Sequence, residues 1–425
     1  MRHWRIGVWV LLLVTVFGSG ALHAQELTIR IAGVSNYQVD IMHQLAGEFT
    51  AQTGIQVVVT TGEIGVQSTD RLLVEILGGV QPELVWMNRV TVPALAALNL
   101  LQPLEPLLDG SPGLDPAEYI PGVLEEGTYQ GQVYALPIIV DLFGQVWHKP
   151  LLQEAGYDPE QPAGTWEDLR SMARRLTRVD GDGAITQLGV TKNLFNARAW
   201  LYLQGAQLGV NFVEGDKVQL DDPRMVASLE WDLETADSLG GWSVISAFPA
   251  NFARGEAAIN PSVSDPIIEQ VKAAANFEIG VGPSPAPENG TRKAYIGGWA
   301  VAIPTGIEGE RLEAALAFMK WVLRPDNQVR RFQSSNLGFP AHVEALQQVA
   351  ADLERTPTPD TKAIRDFLAL AQYATPRGTS PINIDVLQGL ERAANAALSG
   401  QITARDALAQ ESSLLQQLLD EFRRR

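Results

Sequence analysis

The feature that most restricts what this 425-residue chain can fold into is the alternation of strand and helix patterns between residues 27 and 104. Leu27–Ile31 alternates apolar and polar side chains, the period of a half-buried strand. Asn36 is placed to cap a following helix, in which Ile41, Leu45 and Phe49 share one face. Gly54 stops that helix, and Ile55–Val59 is a β-branched strand. Arg71–Leu77 reads as a short helix halted by Gly78-Gly79. Glu83–Trp86 reads as an apolar strand, and Pro93 suits the first turn of a further helix. Strand and helix taken in turn are the pattern of a parallel, doubly wound sheet, so an α/β fold is expected. At about 150 residues per domain, the length calls for two domains or one large two-lobed body.

Further along, Tyr134–Val140 is another strand, and residues 150–163, with several prolines and glycines, read as a loop. Thr165 and Asp168 form a capping box at the head of a helix carrying Trp166, Leu169, Met172 and Leu176. Asp180-Gly-Asp-Gly is a turn; as a calcium loop it lacks a third acidic ligand and the closing Glu. Helical character is expected at 223–239, 266–275, 310–323, 361–373 and 383–420, and residues 282–290 (GPSPAPENG) look like a crossover or hinge.

The N-terminus reads as an address. Arg2 and Arg5 precede the apolar run Ile6–Phe17, and small residues follow as far as Ala24. This order marks residues 1–24 as a signal peptide, cleaved after about Ala24, with an uncleaved anchor as the alternative. Cleavage removes two arginines and no acids, taking the formal charge from −17 to −19. So acidic a chain repels a phosphate backbone, which excludes nucleic acid as the expected partner. Cysteine is absent, which excludes disulfides, thiolate metal sites and thiol catalysis. His43, His148 and His342 are the only histidines beyond residue 24, and no H-E-x-x-H, Walker lysine loop or G-x-S-x-G elbow occurs. Nothing in the sequence argues for an enzyme, a cofactor or a metal. Export, an acidic surface and no thiols suit a bacterial periplasm.

A series of short motifs resembles the extracellular solute-binding proteins of bacterial ABC importers, in the group that binds maltose, other sugars and glycerol 3-phosphate. They run along essentially the whole mature chain. Glu48-Phe-Thr-Ala-Gln-Thr-Gly-Ile-Gln-Val57 and Pro82-Glu-Leu-Val-Trp-Met-Asn88 are similar to the family's opening units, and Leu100–Leu104 follows in place. Gly131-Gln-Val-Tyr-Ala-Leu-Pro137 resembles a G-K-x-Y-x-x-P motif. Gln145-Val-Trp-His-Lys149 stands where relatives have Tyr-Asn-Lys. Gly164-Thr-Trp-Glu-Asp-Leu169, Phe252-Ala-Arg-Gly-Glu-Ala-Ala-Ile259 and Gly297-Gly-Trp-Ala-Val-Ala-Ile303 match in order and spacing.

The resemblance implies a two-lobed periplasmic-binding-protein-like fold. Each lobe is a mostly parallel sheet flanked by helices, with a ligand cleft between them at the strand ends. One lobe is expected at 25–140 plus 294–337, the other at 141–293 plus 338–425. The implied function is capture of a small carbohydrate by lobe closure and delivery to ABC permease subunits in the inner membrane, by a protein expected to be a monomer. A glycerol 3-phosphate or phosphodiester binder of the same fold is the nearest alternative, needing basic cleft residues such as Arg89, Arg198 and Arg377. A secreted glycoside-active enzyme is the alternative from another class.

A sugar offers apolar C–H faces and a rim of hydroxyls, so aromatic plates and fixed donors and acceptors are the groups to seek. Trp86 leaves a strand for a loop, and Trp299 follows two glycines; an ordinary core tryptophan is the alternative for both. Trp166 and Trp321 read as packing, and helix packing also explains Trp200 and Trp231. Asp141 ends an apolar strand at the position where maltose-type relatives carry an acidic sugar ligand, and a carboxylate can accept two hydroxyls at once. Asn88 can donate and accept. Asn36 and Tyr37 occupy the loop after the first strand, and Arg377 lies in a segment that returns to the cleft in relatives. Ser262 and Ser264 stand where relatives often place a stacking aromatic, which argues against a platform for several sugar rings.

Overall fold

The structure is a computed structural model that describes residues 27–62, 69–108, 115–195, 197–264, 276–335 and 337–424. The expected signal segment and the expected helix at 266–275 lie outside these residues.

The first sheet is built from β1 (Thr28–Val34), β2 (Gln56–Thr61) and β3 (Leu84–Asn88), with β1 parallel to both neighbours. Ile29, Ile31 and Val34 of β1 are fully buried. Helix Val39–Thr53 covers the sheet with Ile41, Met42, Leu45 and Phe49, and ends at Gly54, whose φ of +77° only glycine adopts without cost. Asn36 does not cap this helix. It sits in a 3-10 turn, Asn36–Gln38, and the helix begins after Gln38 with no side-chain cap. A hairpin, β4 (Thr128–Tyr129) and β5 (Gln132–Val133), leads into β6 (Ala135–Pro137).

The ten-residue β7 (Ile139–His148) then runs out of the first lobe and becomes the backbone of the second. The expected loop at 150–163 begins as a helix, Lys149–Glu154. Pro150 sits in its first turn, where a missing N–H costs nothing, and the His148 ring accepts the Leu151 N–H at 3.2 Å. The capping box forms as expected: Thr165 Oγ1 accepts from Asp168 N at 3.0 Å, and Asp168 Oδ2 accepts from Thr165 N at 2.9 Å. The strands that follow are β8 (Arg178–Val179), β9 (Ile185–Val190) and the small hairpin β10 (Val213–Glu214) and β11 (Lys217–Val218). Next come β12 (Ala257–Ser264), β13 (Ile279–Gly282) and β14 (Ala294–Gly297). This second sheet is more mixed than a mostly parallel one: β7 is antiparallel to β12, β13 and β14, while β12 runs parallel to β9.

The chain returns to the first lobe at Gly297-Gly298, and β15 (Trp299–Ala302) inserts antiparallel between β3 and β6. The expected hinge at 282–290 stays in the second lobe, where Ala286 N donates to Gly164 O at 3.3 Å and Gly290 follows a turn at Pro287. Helix Gly309–Leu323 packs Phe318 edge-on to Phe49, with ring centres 5.1 Å apart. The chain passes between the lobes a third time along 337–377. There β16 (Phe339–Pro340) pairs with β7, and β17 (Ala374–Thr375) pairs with β14. Helices Val343–Arg355 and Pro359–Leu368 add Val349, Leu353, Ile364 and Phe367 to a core that the two lobes share. The expected helix at 383–420 is two, Asn383–Leu398 and Ala404–Arg424, broken at Gly400. Among the described residues, no helix is long and apolar enough to cross a membrane.

Candidate functional site

Where the three passages meet, a cleft of about 660 Å3 opens between the lobes. The first lobe contributes Asn88, at the carboxyl end of β3. Asn88 Oδ1 accepts from Val90 N at 3.2 Å, which commits its oxygen to the turn and leaves its NH2 for a guest. The crossing strands contribute Asp141, Phe143, Tyr295, Gly297 and Gly298. Asp141 is half-buried and lies opposite Gly297 in the β7–β14 register. A Cβ at Gly297 would stand 3.5 Å from the Asp141 Cβ, and one at Gly338 would stand 3.4 Å from Asp141 Oδ1. Two bare backbones therefore flank this carboxylate.

The second lobe supplies a polar tip and an apolar wall. Between Asn260 and Val263 the pairing of β12 with β7 shifts register, with Pro261 inside the shift. A bulge of this kind re-aims side chains, and it turns Asn260 and Ser262 into the cleft. Ser262 Oγ is buried and has no hydrogen-bond partner among the described residues. Leu194 and Leu387 form the apolar side. Helix Arg198–Gln207 points its first turn at the cleft, and Ala197 before it provides no side-chain cap, so the leading N–H groups face the opening. Arg198 is 3.9 Å from Glu391, a half-exposed pair on the rim.

Beneath the cleft lies a buried ion cluster. Glu126 has no exposed surface and is held by two guanidinium groups. Arg89 Nε donates to its Oε2 at 3.0 Å. Arg377 donates Nη2 to Oε2 at 2.7 Å and Nε to Oε1 at 2.9 Å, a bidentate pair, and its own backbone N–H adds a further bond at 2.9 Å. The remaining donors tie down the crossing strands. Arg89 Nη1 donates to Ile139 O, Arg89 Nη2 to Gly297 O at 2.6 Å, and Arg377 Nη1 to Tyr295 Oη at 3.1 Å. Burial pushes the Glu126 carboxyl up, but Arg377 and Arg89 outweigh it and hold the group below its usual range. Burial lowers Arg89, with Glu126 opposing. Burial also pulls on Arg377, yet Glu126 and Tyr295 overcome it and leave this guanidinium above its usual value.

A larger groove, about 1180 Å3, lies on the other side of Arg377 and is lined by Tyr129, Tyr134, Asn211 and Lys293. It is walled by two hairpins, by the segment 375–381 and by helix ends, among them the first turn of helix Asn383–Leu398. The smaller cleft sits at strand ends, where ligands bind in open α/β sheets, and it carries the converging polar groups.

The structure brings together three of the seven residues singled out in the sequence: Asn88, Asp141 and Arg377 all line the cleft. Arg377, however, is 5 % exposed and spends its donors on Glu126 and Tyr295. Trp86 does not line the cleft: it is fully buried in the core, because the side chain of this strand position points under the sheet. Trp299 is likewise packed in that core, beside Asn88 in the β15–β3 register. Asn36 is exposed and Tyr37 half-buried at the end of β1, and neither lines the cleft. Sequence reasoning missed Asn260, Tyr295 and Glu126. For Asn260 the signal was present, since a proline one residue later inside a strand implies a bulge.

A model of bacterial extracellular solute-binding proteins matches residues 44–358. The sn-glycerol-3-phosphate-binding periplasmic protein of Escherichia coli (strain K12) is 24% identical over 311 residues, 68% of each chain. Among solved structures, the mannobiose-bound protein CpMnBP1 superposes with a TM-score of 0.77 at 22% identity, covering 92% of this chain and 99% of that one. The sugar-binding protein MalE of Xanthomonas citri superposes with a TM-score of 0.77 at 18% identity, covering 93% and 98%. A ribitol-bound solute-binding protein from Agrobacterium radiobacter K84 gives 0.71 at 22% identity, covering 92% and 98%. At these identities the likeness is one of fold.

Proposed function

The chain belongs to the bacterial extracellular solute-binding proteins, and from that premise we propose that it captures a small neutral polyhydroxy solute, a short carbohydrate or polyol, between its lobes. One observation carries this reading: the buried cations at the cleft are already consumed. Arg89 and Arg377 are committed to Glu126, Tyr295 and two carbonyls, and Arg198 is shared with Glu391. A phosphate ester needs unshared guanidinium or ammonium groups, whereas hydroxyls need the mixed donors and acceptors of Asn88, Asp141, Asn260 and Ser262. A volume of about 660 Å3 suits a ligand of one or two rings.

In the same reading the lobes are 25–140 plus 294–337 and 141–293 plus 338–425. The signal segment is cleaved after about Ala24, and the mature protein works in the periplasm. The loaded form delivers its solute to separate ABC permease subunits and leaves the bonds of the solute unchanged.

The test is a thermal-shift and calorimetric comparison of mannobiose, ribitol and glycerol 3-phosphate on the mature chain. Neutral ligands are expected to raise Tm, by about 2.7 kcal/mol of added stability at a hundred times Kd, and glycerol 3-phosphate is expected to do nothing. The reverse ranking rejects the proposal. Asp141→Asn is expected to weaken binding by about 1.5–3 kcal/mol, the worth of a hydrogen bond to a charged group. Turnover of an oligosaccharide by the wild type, abolished by that substitution, would reveal an enzyme instead.

A further inference from the structure

Behind the cleft wall, two helices of the second lobe share a buried polar contact that does not balance as drawn. Helix Arg198–Gln207, whose first turn lines the cleft, packs on helix Pro223–Ser238. Asp232 lies between them, fully buried. Its Oδ1 accepts from Trp200 Nε1 at 3.3 Å and from Gln204 Nε2 at 3.1 Å. Its Oδ2 and Gln204 Oε1 are both buried and both without a hydrogen-bond partner among the described residues. In a carboxylate and an amide these two oxygens are acceptors only, so neither can satisfy the other. Buried polar atoms are rarely left bare, and two on adjoining groups call for a common cause. A single proton supplies it.

We propose that Asp232 is held as a neutral carboxylic acid whose Oδ2–H donates to Gln204 Oε1, closing a two-bond acid–amide ring that positions Trp200 and the cleft-lining turn of its helix. Asp232 is thus a positioning residue, acting on the ligand site through Trp200; that last link rests on the reading of the cleft given above. The surroundings favour the neutral form. Burial pushes the Asp232 carboxyl well above its ordinary range, against the opposing pull of Trp200, Gln204 and Arg170. Arg170 is occupied elsewhere, by Thr235 Oγ1 at 2.9 Å and by Glu234 at 3.4 Å and Glu167 at 3.7 Å. Three further cations on the elements packed around helix Pro223–Ser238 have partners of their own: Lys192 with Ser246 O, Arg198 with Glu391, and Arg392 with Glu411. An ionised carboxylate bridged to Gln204 by a buried water is the rival arrangement.

Infrared spectroscopy and urea unfolding of the ligand-free mature chain separate the two. At neutral pH the wild-type spectrum minus that of Asp232→Asn is expected to show the C=O stretch of a protonated carboxylic acid. In the second variant, Gln204→Met, that band is expected to shift, which covers the case in which Asp232→Asn does not fold. A carboxyl group that keeps its proton on folding loses stability as pH rises above its unfolded value of about 3.9. The folding constant of the wild type relative to Asp232→Asn is therefore expected to fall about tenfold per pH unit until the folded-state pKa is passed. An amide–amide ring in the variant has no such slope. Absence of the band together with parallel pH curves overturns the proposal. Neither readout uses a ligand, so its failure is distinct from failure of the carbohydrate reading.

Discussion

A carboxylate with no exposed surface stays charged only if cations reach it, and Glu126 has two. Removing the charge strands them. Glu126→Gln leaves Arg89 and Arg377 buried and uncompensated, and is expected to cost about 3–5 kcal/mol in urea unfolding at neutral pH. The sign with pH follows from the depressed carboxyl. Its contribution is complete above the unfolded value of about 4.3 and is lost as pH falls through the lower folded value. The gap between wild type and Glu126→Gln should therefore close on acidification, and a gap independent of pH would contradict the charged state of Glu126. The cluster was hidden in the sequence for a plain reason. Glu126 is 37 residues from Arg89 and 251 from Arg377, and no periodicity links such distances. Asp141 is expected to end an apolar strand, but it lies third in β7, and it lines the cleft where Gly297 and Gly338 leave bare backbone beside it. Trp86 is expected to leave its strand for a loop, but β3 runs on to Asn88 and Trp86 is its middle residue, because pairing with β15 extends the strand, and no local pattern shows that partner.

At the scale of elements, the helices with local punctuation were readable: Gly54 as a left-handed stop, and Thr165 with Asp168 as a reciprocal cap. Helix Lys149–Glu154 was not, since Pro150 fits a first turn as well as a loop. The elements that matter most for the site are the crossing strands, and Gly298 is their narrowest point. Its φ is +130°, and a Cβ there would overlap Ile139 O and Arg89 Nη1. Gly131, in the β4–β5 hairpin, has a φ of +80° but nothing within 4 Å of the same added atom. Gly131→Ala should thus cost about 1–2 kcal/mol, the price of a left-handed non-glycine residue. Gly298→Ala should cost at least about 3 kcal/mol, because backbone strain and overlap with buried groups add. Equal losses in chemical denaturation would mean that the crossing strands yield more readily than this packing implies.

At the scale of the whole molecule, two sheets are joined by three passages, the connection that the proposed closure requires. A guest that touches both lobes only when they are shut shifts the balance by that difference in affinity and by nothing else. Moving from 1:99 to 99:1 takes about 5.5 kcal/mol, within reach of a few hydroxyl hydrogen bonds and apolar contact with Leu194 and Leu387. Small-angle scattering with mannobiose or ribitol is expected to show a smaller radius of gyration than without. Binding with no contraction would disprove closure. The ion cluster under the cleft also sets an order of assembly. Its carboxylate and first guanidinium are made early, while its second guanidinium belongs to the final eighth of the polypeptide. A ribosome must therefore nearly finish before the cluster can close, because a nascent chain without residue 377 lacks the bidentate arm that holds Glu126.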